Sequence, residues 1–275
     1  MNMKAIMLLF SLFTFGLHLS WSQLQLETQK LPKKIDETSG LEFYEDHFIT
    51  HNDSGGSPKL YVFDAQGQML LEAKINQAVN RDWEDIAADQ CHLFIADVGN
   101  NSGSRKDLTI YILNTHLMLE DSIKINYKAQ TQFNKRKRHP FDAESLTVVG
   151  DSLLLFSKDR EQFQTQLYVF PKVGGQYTLV PVGQLPAESL ITAADYNATL
   201  KLLALTGYNP QGEQFFYLMP EFSYKNLKKE NFKKYILPLE EAQVEAVKII
   251  DRYHFWLTSE NEGNGHPRLF ELTLN

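Results

Sequence analysis

Apolar residues fall along this chain in runs of four to seven, rich in β-branched and aromatic types and separated by Gly, Asn, Asp or Pro. Such runs read as strands and the breaks as turns. The pattern recurs five times. Successive copies open at Ser39-Gly-Leu, Glu84-Asp-Ile, Glu144-Ser-Leu, Thr192-Ala-Ala and Glu245-Ala-Val. Thirteen or fourteen residues later each copy reaches another polar residue, at Asn52, Asp97, Ser157, Thr206 and Ser259. An aromatic strand follows in each, from Leu60-Tyr-Val-Phe in the first copy to Leu269-Phe-Glu-Leu in the last. A repeat of roughly 50 residues made of short strands points to a propeller or a solenoid.

The strands within one copy number four. Copy one runs through Lys59-Leu-Tyr-Val-Phe and a turn to Met69-Leu-Leu-Glu-Ala-Lys-Ile, and copy three reads likewise, ending at Tyr177-Thr-Leu-Val after Gly174-Gly175. Four strands per copy in up-and-down order make a propeller blade. Copy five stops after its third strand, and Leu24-Gln-Leu-Glu-Thr alternates as an outer strand should. Pairing the two would close the ring and remove two exposed edges. The expected fold is all-β, a single β-propeller over residues 23–275 with five four-stranded blades closed by an N-terminal strand. Six blades is the alternative, because Thr115 to Pro140 has room for strands that the repeat does not mark.

Ahead of the repeats, Lys4 and the apolar run Ala5 to Leu19 lead to Ser20-Trp21-Ser22, the layout of a secretory signal peptide over residues 1–22. That run is short of the roughly 20 apolar residues that span a bilayer. The expectation is an exported protein, periplasmic or secreted, with no stable membrane insertion after cleavage, working as a monomer. The formal net charge is −7, which argues against nucleic acid as a partner, since phosphate binding needs Lys and Arg. The one cysteine, Cys91, opens an apolar run and reads as a buried, inert thiol.

In a propeller the first strand of each blade lines the channel. The openings of the copies therefore form a ring of Ser39, Glu84, Glu144, Thr192 and Glu245, with Asp85 and Asp195 beside it. Near it come the ends of the second strands: Asn52 with Asp53, Asp97, Ser157 with Lys158, Thr206, and Ser259 with Glu260. Glu84, Glu144 and Glu245 would repel one another without a cation, a shared proton or water between them. Oxygen-only ligands suit Ca²⁺ or Mg²⁺, or a cationic or polyhydroxylated molecule. Buried acids that cap strand ends and line a wet channel are the structural alternative. His51 beside Asp53 and Ser54 invites a triad, although neighbours on one loop seldom form one. The basic run Lys135 to His139 reads as a solvated loop or as an anion clamp over the mouth.

Asp82-Trp-Glu-Asp-Ile-Ala, Asp97-Val-Gly-Asn-Asn, Asp142-Ala-Glu-Ser-Leu, Thr192-Ala-Ala-Asp, and Glu245-Ala with Leu257-Thr-Ser-Glu resemble, in this order, the blade-start motifs of a group of exported bacterial β-propeller proteins. The resemblance implies a propeller outside the cytoplasm and no settled activity. It also implies Asp where this chain has Asn100, which weakens one cation ligand.

Three functions are compatible with these residues. One is a binding module for a small polar molecule or a divalent cation at the channel mouth, with ligands drawn from Glu84, Asp85, Asp97, Glu144, Lys158, Asp195, Glu245, Glu260, Asn52 and Asp53. The second is a carboxylate- or metal-dependent hydrolase of phosphoesters, lactones or glycosides, since crowded carboxyls separate into an acid and a base. The third is a protein-interaction platform, for which exposed loop aromatics such as Tyr208 and Phe222 give thin support.

Overall fold

The computed structural model describes residues 24–227, 229–239, 242–261 and 265–275, so the expected signal peptide lies outside the described residues. It is a five-bladed β-propeller of antiparallel four-stranded sheets, with two three-residue 3₁₀ turns and no other helix among the described residues. From channel to rim, blade one is Thr38–Tyr44, His47–Asn52, Lys59–Phe63 and Met69–Lys74. Blade two is Trp83–Ala88, His92–Asp97, Thr109–Asn114 and Leu119–Tyr127. Blade three starts at Ala143–Val149, blade four at Leu190–Asn197 and blade five at Val244–Ile249. Blade five takes its outer strand from Leu24–Lys30, which runs antiparallel to Arg268–Leu274 with Leu24 opposite Leu274. The ring is thus closed by strand pairing across the termini, as the alternation at Leu24 to Thr28 suggests.

Two expectations change. The Thr115 to Pro140 segment supplies the outer strand of blade two and then a loop, so no sixth blade is present among the described residues. Tyr177-Thr-Leu-Val is not the outer strand of blade three. Gly175–Leu179 crosses to blade two and pairs parallel with Leu119–Tyr127, while the short Gly183–Leu185 takes the outer place in blade three. Leu119–Tyr127 offers nine residues of edge, and covering it removes an aggregation-prone surface.

The core is divided among the five blade interfaces. Phe94, Ile110 and Ile123 of blade two meet Leu153, Leu155 and Tyr168 of blade three, and Phe216 of blade four meets Phe255 and Phe270 of blade five. Equivalent clusters join blades three and four, one and two, and five and one. Phe222 is buried in the cluster of blades three and four, not exposed as expected. Cys91 is also corrected: it is exposed. It sits in the tight turn after Ala88, whose backbone N–H groups at Cys91 and His92 are drawn onto Asp89 Oδ1 at 2.8 Å.

Each inner strand has a free edge toward the channel, and side chains of neighbouring blades satisfy it. Ser39 Oγ donates to Glu84 O at 2.5 Å. Asp85 accepts the N–H of Ile86 and Leu146 at 2.8 Å and of Ala194 at 3.3 Å, tying blades two, three and four together. Thr147 Oγ1 accepts the Tyr196 N–H at 3.0 Å, and Asp195 Oδ2 accepts that of Ile249 at 2.8 Å. Lys248 Nζ bridges Asp195 at 3.1 Å and Glu42 at 2.5 Å, completing the circle from blade five to blade one. Blade one approaches blade two so closely that a Cβ on Gly40 (φ +71°) would lie 2.6 Å from the Ile86 nitrogen.

Asp85→Ala leaves three buried N–H groups without an acceptor and is expected to destabilise the fold by about 3 kcal/mol or more. Asp85→Asn, which keeps one carbonyl oxygen, loses less. Urea unfolding of the two variants measures the difference.

Candidate functional site at the channel mouth

Every inner strand slips its register by one residue as it enters the channel. The break lies between Trp83 and Asp85, Ala143 and Ser145, Ile191 and Ala193, and Val244 and Ala246, leaving Glu84, Glu144, Thr192 and Glu245 as the extra residues. Blade one breaks between Ser39 and Glu42. An inserted residue bends its strand and re-aims its side chain, so four of the five repeat openings are bulge residues at one mouth, and Ser39 directly precedes the fifth bulge. The second strands end at the same mouth, where Asn52, Asp97, Ser157 and Ser259 face Thr38, Trp83, Ala143 and Val244. In blade four Thr206 faces Ala193, and the equivalent position, opposite Ile191, is Gly207.

The three ring glutamates have different surroundings. Glu144 is buried against Lys158 Nζ, with Arg160 Nη2 at 3.3 Å. Arg160 Nε also reaches the buried Asp142 at 2.8 Å. Glu245 accepts a hydrogen bond from Gln243. Glu84 is 4% exposed, and its Oε1 is buried with no hydrogen-bond partner. Asp53 Oδ1 and Asn52 Oδ1 are buried and partnerless too. Among the described residues one group of acids has geometry for a metal ion: Asp53, Asp82 and Glu84, whose ligand atoms lie within 4.8 Å of one another. Of the proposed metal trio, only Glu84 belongs to it. Asp82 was missed as a ligand although its motif was noted. The signal was its place directly before the inner strand, opposite the Ser54 bridge of blade one.

Burial and mutual repulsion push these carboxyls up together. Asp53 rises to about 9, from burial and then from Asp82, Glu144, Glu260 and Glu245. Asp82 rises to about 6, from burial and then Asp142. Glu84 lies well above the usual range, from burial and then Glu144 and Asp53. Glu260 reaches about 8, from burial and then Glu245 and Glu37. Burial also lifts Glu144 to about 8, although Lys158 pulls it down. Despite burial, Glu144 and Glu245 hold the Lys158 ammonium well above its ordinary value. So many acids in one buried space call for protons or a cation as counter-charge.

Asp85, Asp195 and Asp97, also expected in the site, have structural partners. Asp85 and Asp195 hold the inner strands as described. Asp97 accepts from Arg105 at 2.9 Å and from the Asp82 N–H at 3.1 Å. Asn100 binds the Phe141 carbonyl through Nδ2 and the Arg105 N–H through Oδ1, at 2.8 and 2.9 Å. An Asp there could not donate the first bond, so Asn100 ties the loop to blade three. In the basic run, His139 is buried: Phe141 N–H donates to its Nδ1 at 3.1 Å, which leaves Nε2–H to face Asn101 O at 3.3 Å. Lys135, Lys137 and Arg138 are exposed. His51 is not in a triad. Its ring packs edge-on to Trp83, centroids 5.5 Å apart, with Nδ1 3.2 Å from Asn52 O.

A surface depression of 510 Å³ near the rim, lined by Leu202, Leu218, Tyr235, Arg252 and Tyr253 among others, shares no residue with the acidic mouth. No family model matches the chain, and no curated protein matches it. Among solved structures, it is similar to a chain in a crystal structure of the mitotic checkpoint complex, with 9% identity and a TM-score of 0.45 over 86% of this chain and 77% of that one. A likeness at that level carries no functional argument.

Burial lowers the His51 imidazole to about 4, against about 6.5 when unfolded. Its contribution is therefore present above pH 6.5 and is lost as pH falls toward 4, by about 2–3 kcal/mol at pH 4.5. The raised carboxyls act in the opposite direction. The readout is thus the difference in urea stability between wild type and His51→Gln, which should narrow by that amount between pH 7 and 4.5. Lys158→Met should cost about 3 kcal/mol by leaving Glu144 buried without its ammonium. Adding Glu144→Gln should recover much of that loss in the same assay.

Proposed function

We propose that this chain is an exported β-propeller whose channel mouth binds a divalent cation between Asp53, Asp82 and Glu84 and, through it, a small polar ligand. One observation carries the reading: Glu84, buried on a bulge, keeps a partnerless oxygen while its carboxylate lies within 4.8 Å of those of Asp53 and Asp82. A buried polar atom without a partner is rare and costly. A cation would satisfy it and offset the burial, and the charge of neighbouring acids, that raise all three pKa values. Oxygen-only donors favour a hard ion, Ca²⁺ or Mg²⁺. Export rests on Lys4 and the Ala5 to Leu19 run. No helix among the described residues is long and apolar enough to cross a membrane.

A hydrolase is the second reading. It is favoured by the crowding of the Asp53, Asp82 and Glu84 carboxyls within 4.8 Å of one another, since neighbouring carboxyls divide into base and acid. Turnover of phosphoester, lactone or glycoside substrates that disappears in Asp82→Asn would favour it over binding alone.

Cation binding is tested by calorimetry and thermal melting of residues 23–275. Ca²⁺ or Mg²⁺ at a hundredfold over Kd should add about 2.7 kcal/mol, roughly 5 °C. Glu84→Gln should abolish that shift while the metal-free variant melts no lower than the metal-free wild type. Absence of heat and of a melting shift with either ion overturns the reading.

A further inference from the structure

The mouth also carries information about what its cation would present to. Its cationic side chains are already engaged. Lys158 is on Glu144, Arg160 on Asp142 and Glu144, and Arg105 on Asp97 at 2.9 Å. Of the buried polar atoms without a partner here, Asp53 Oδ1, Glu84 Oε1 and Asn52 Oδ1 are acceptors, and Ser259 Oγ adds one hydroxyl. Glu245 and Glu260 bring two more carboxyls to the same space, since both act on Asp53. A ligand entering here meets lone pairs on the wall and, on the reading above, a metal ion at its floor.

That combination selects among ligand chemistries. Phosphate and carboxylate groups coordinate a cation well, but they bring no proton to donate and would face the surrounding acids as like charges. An ammonium group donates to carboxylates but has no lone pair for the metal. A hydroxyl does both at one atom: its oxygen coordinates the ion while its O–H donates to a carboxylate. Two adjacent hydroxyls chelate.

Blade four supplies the remaining feature. It places no carboxylate on its bulge or at the end of its second strand: the bulge residue is Thr192, tied to Val244 O at 2.6 Å, and the second strand passes Gly207 into Tyr208. The Tyr208 ring is half-buried there, with Lys158 Nζ 5.1 Å from its centroid. This partly exposed ring stands at the same mouth, across from the Asp53, Asp82 and Glu84 triangle of blades one and two, and gives a sugar ring an apolar surface to lie on while its hydroxyls turn to the ion.

We infer that the small polar ligand of this mouth is a neutral carbohydrate or other vicinal polyol, chelating the bound cation through adjacent hydroxyls and packing against Tyr208. This inference rests on the cation reading, and the experiment separates the two. Ca²⁺ is titrated first. Methyl α-mannoside, methyl β-galactoside and myo-inositol are then titrated, with glucose 6-phosphate and glucosamine as charged comparators, in Ca²⁺ and in EDTA, followed by saturation-transfer NMR and calorimetry. At least one neutral polyol should bind in Ca²⁺ and not in EDTA, and more tightly than both comparators. Tyr208→Ala should weaken that binding by roughly five- to tenfold while leaving the Ca²⁺ isotherm unchanged, which also shows that the variant is folded. Failure of Ca²⁺ to bind removes both the cation reading and this inference. Ca²⁺ binding with no neutral polyol bound, polyol binding undiminished in EDTA, or tighter binding of glucose 6-phosphate overturns the inference alone.

Discussion

Five strand edges meet at the centre of this molecule, and no strand is available to pair with any of them. Each inner strand hydrogen-bonds outward to its own blade, so its channel-side N–H and C=O groups must find partners elsewhere or remain buried and unsatisfied. Short polar side chains from adjacent blades meet that demand: Ser39, Asp85, Thr147, Thr192 and Asp195 each reach a backbone group of another blade. The buried polar residues of the inner strands follow from this constraint. So does the close approach at Gly40, which brings blade one within reach of blade two.

The same constraint sets the boundary between scaffold and site. At the mouth some side chains still serve a neighbouring backbone, as Asn80 does at Asn52 O and Asp142 at the Asn100 N–H, while Glu84 Oε1 does not. Asp85 and Glu84 are adjacent in sequence, yet one is held by three N–H groups while the other keeps an oxygen without a partner. A bulge separates their roles by turning consecutive residues in different directions. Concentrating acids beyond that point costs stability, and proteins commonly retain such costs where binding or chemistry needs them.

Much of this was legible in the sequence because it repeats. Polar residues at five equivalent places, followed by five aromatic strands, imply equivalent blades whatever the individual side chains do. The ring of Glu84, Glu144, Thr192 and Glu245 could be placed from spacing alone. Its bulged geometry could not, since one extra residue in a strand leaves the local alternation nearly unchanged. Neither could the difference between Glu84 and Glu144, which depends on Lys158 and Arg160 arriving from the end of another strand. Asp82 and Cys91 were misjudged for related reasons. One sits just before its strand and outside the repeat template, and the other adjoins an apolar run while lying in its turn. The exchange of Gly175–Leu179 onto blade two defied the template because parallel pairing across blades has no local signature.

That exchanged strand gives the ring a seam of unequal strength. Side-chain packing and channel hydrogen bonds join neighbouring blades all round, with one isolated bridge, Ser54↔Asp82, between blades one and two, but blades two and three share a whole backbone ladder from Gly175↔Ile123 to Leu179↔Tyr127. The pair is therefore the natural cooperative unit of the molecule, the part whose amides should be slowest to open. A parallel ladder between segments some fifty residues apart also closes a long loop before it gains any contact. Assembly would then proceed outward from a double blade, with the remaining three added to a template that already has the curvature of the finished ring.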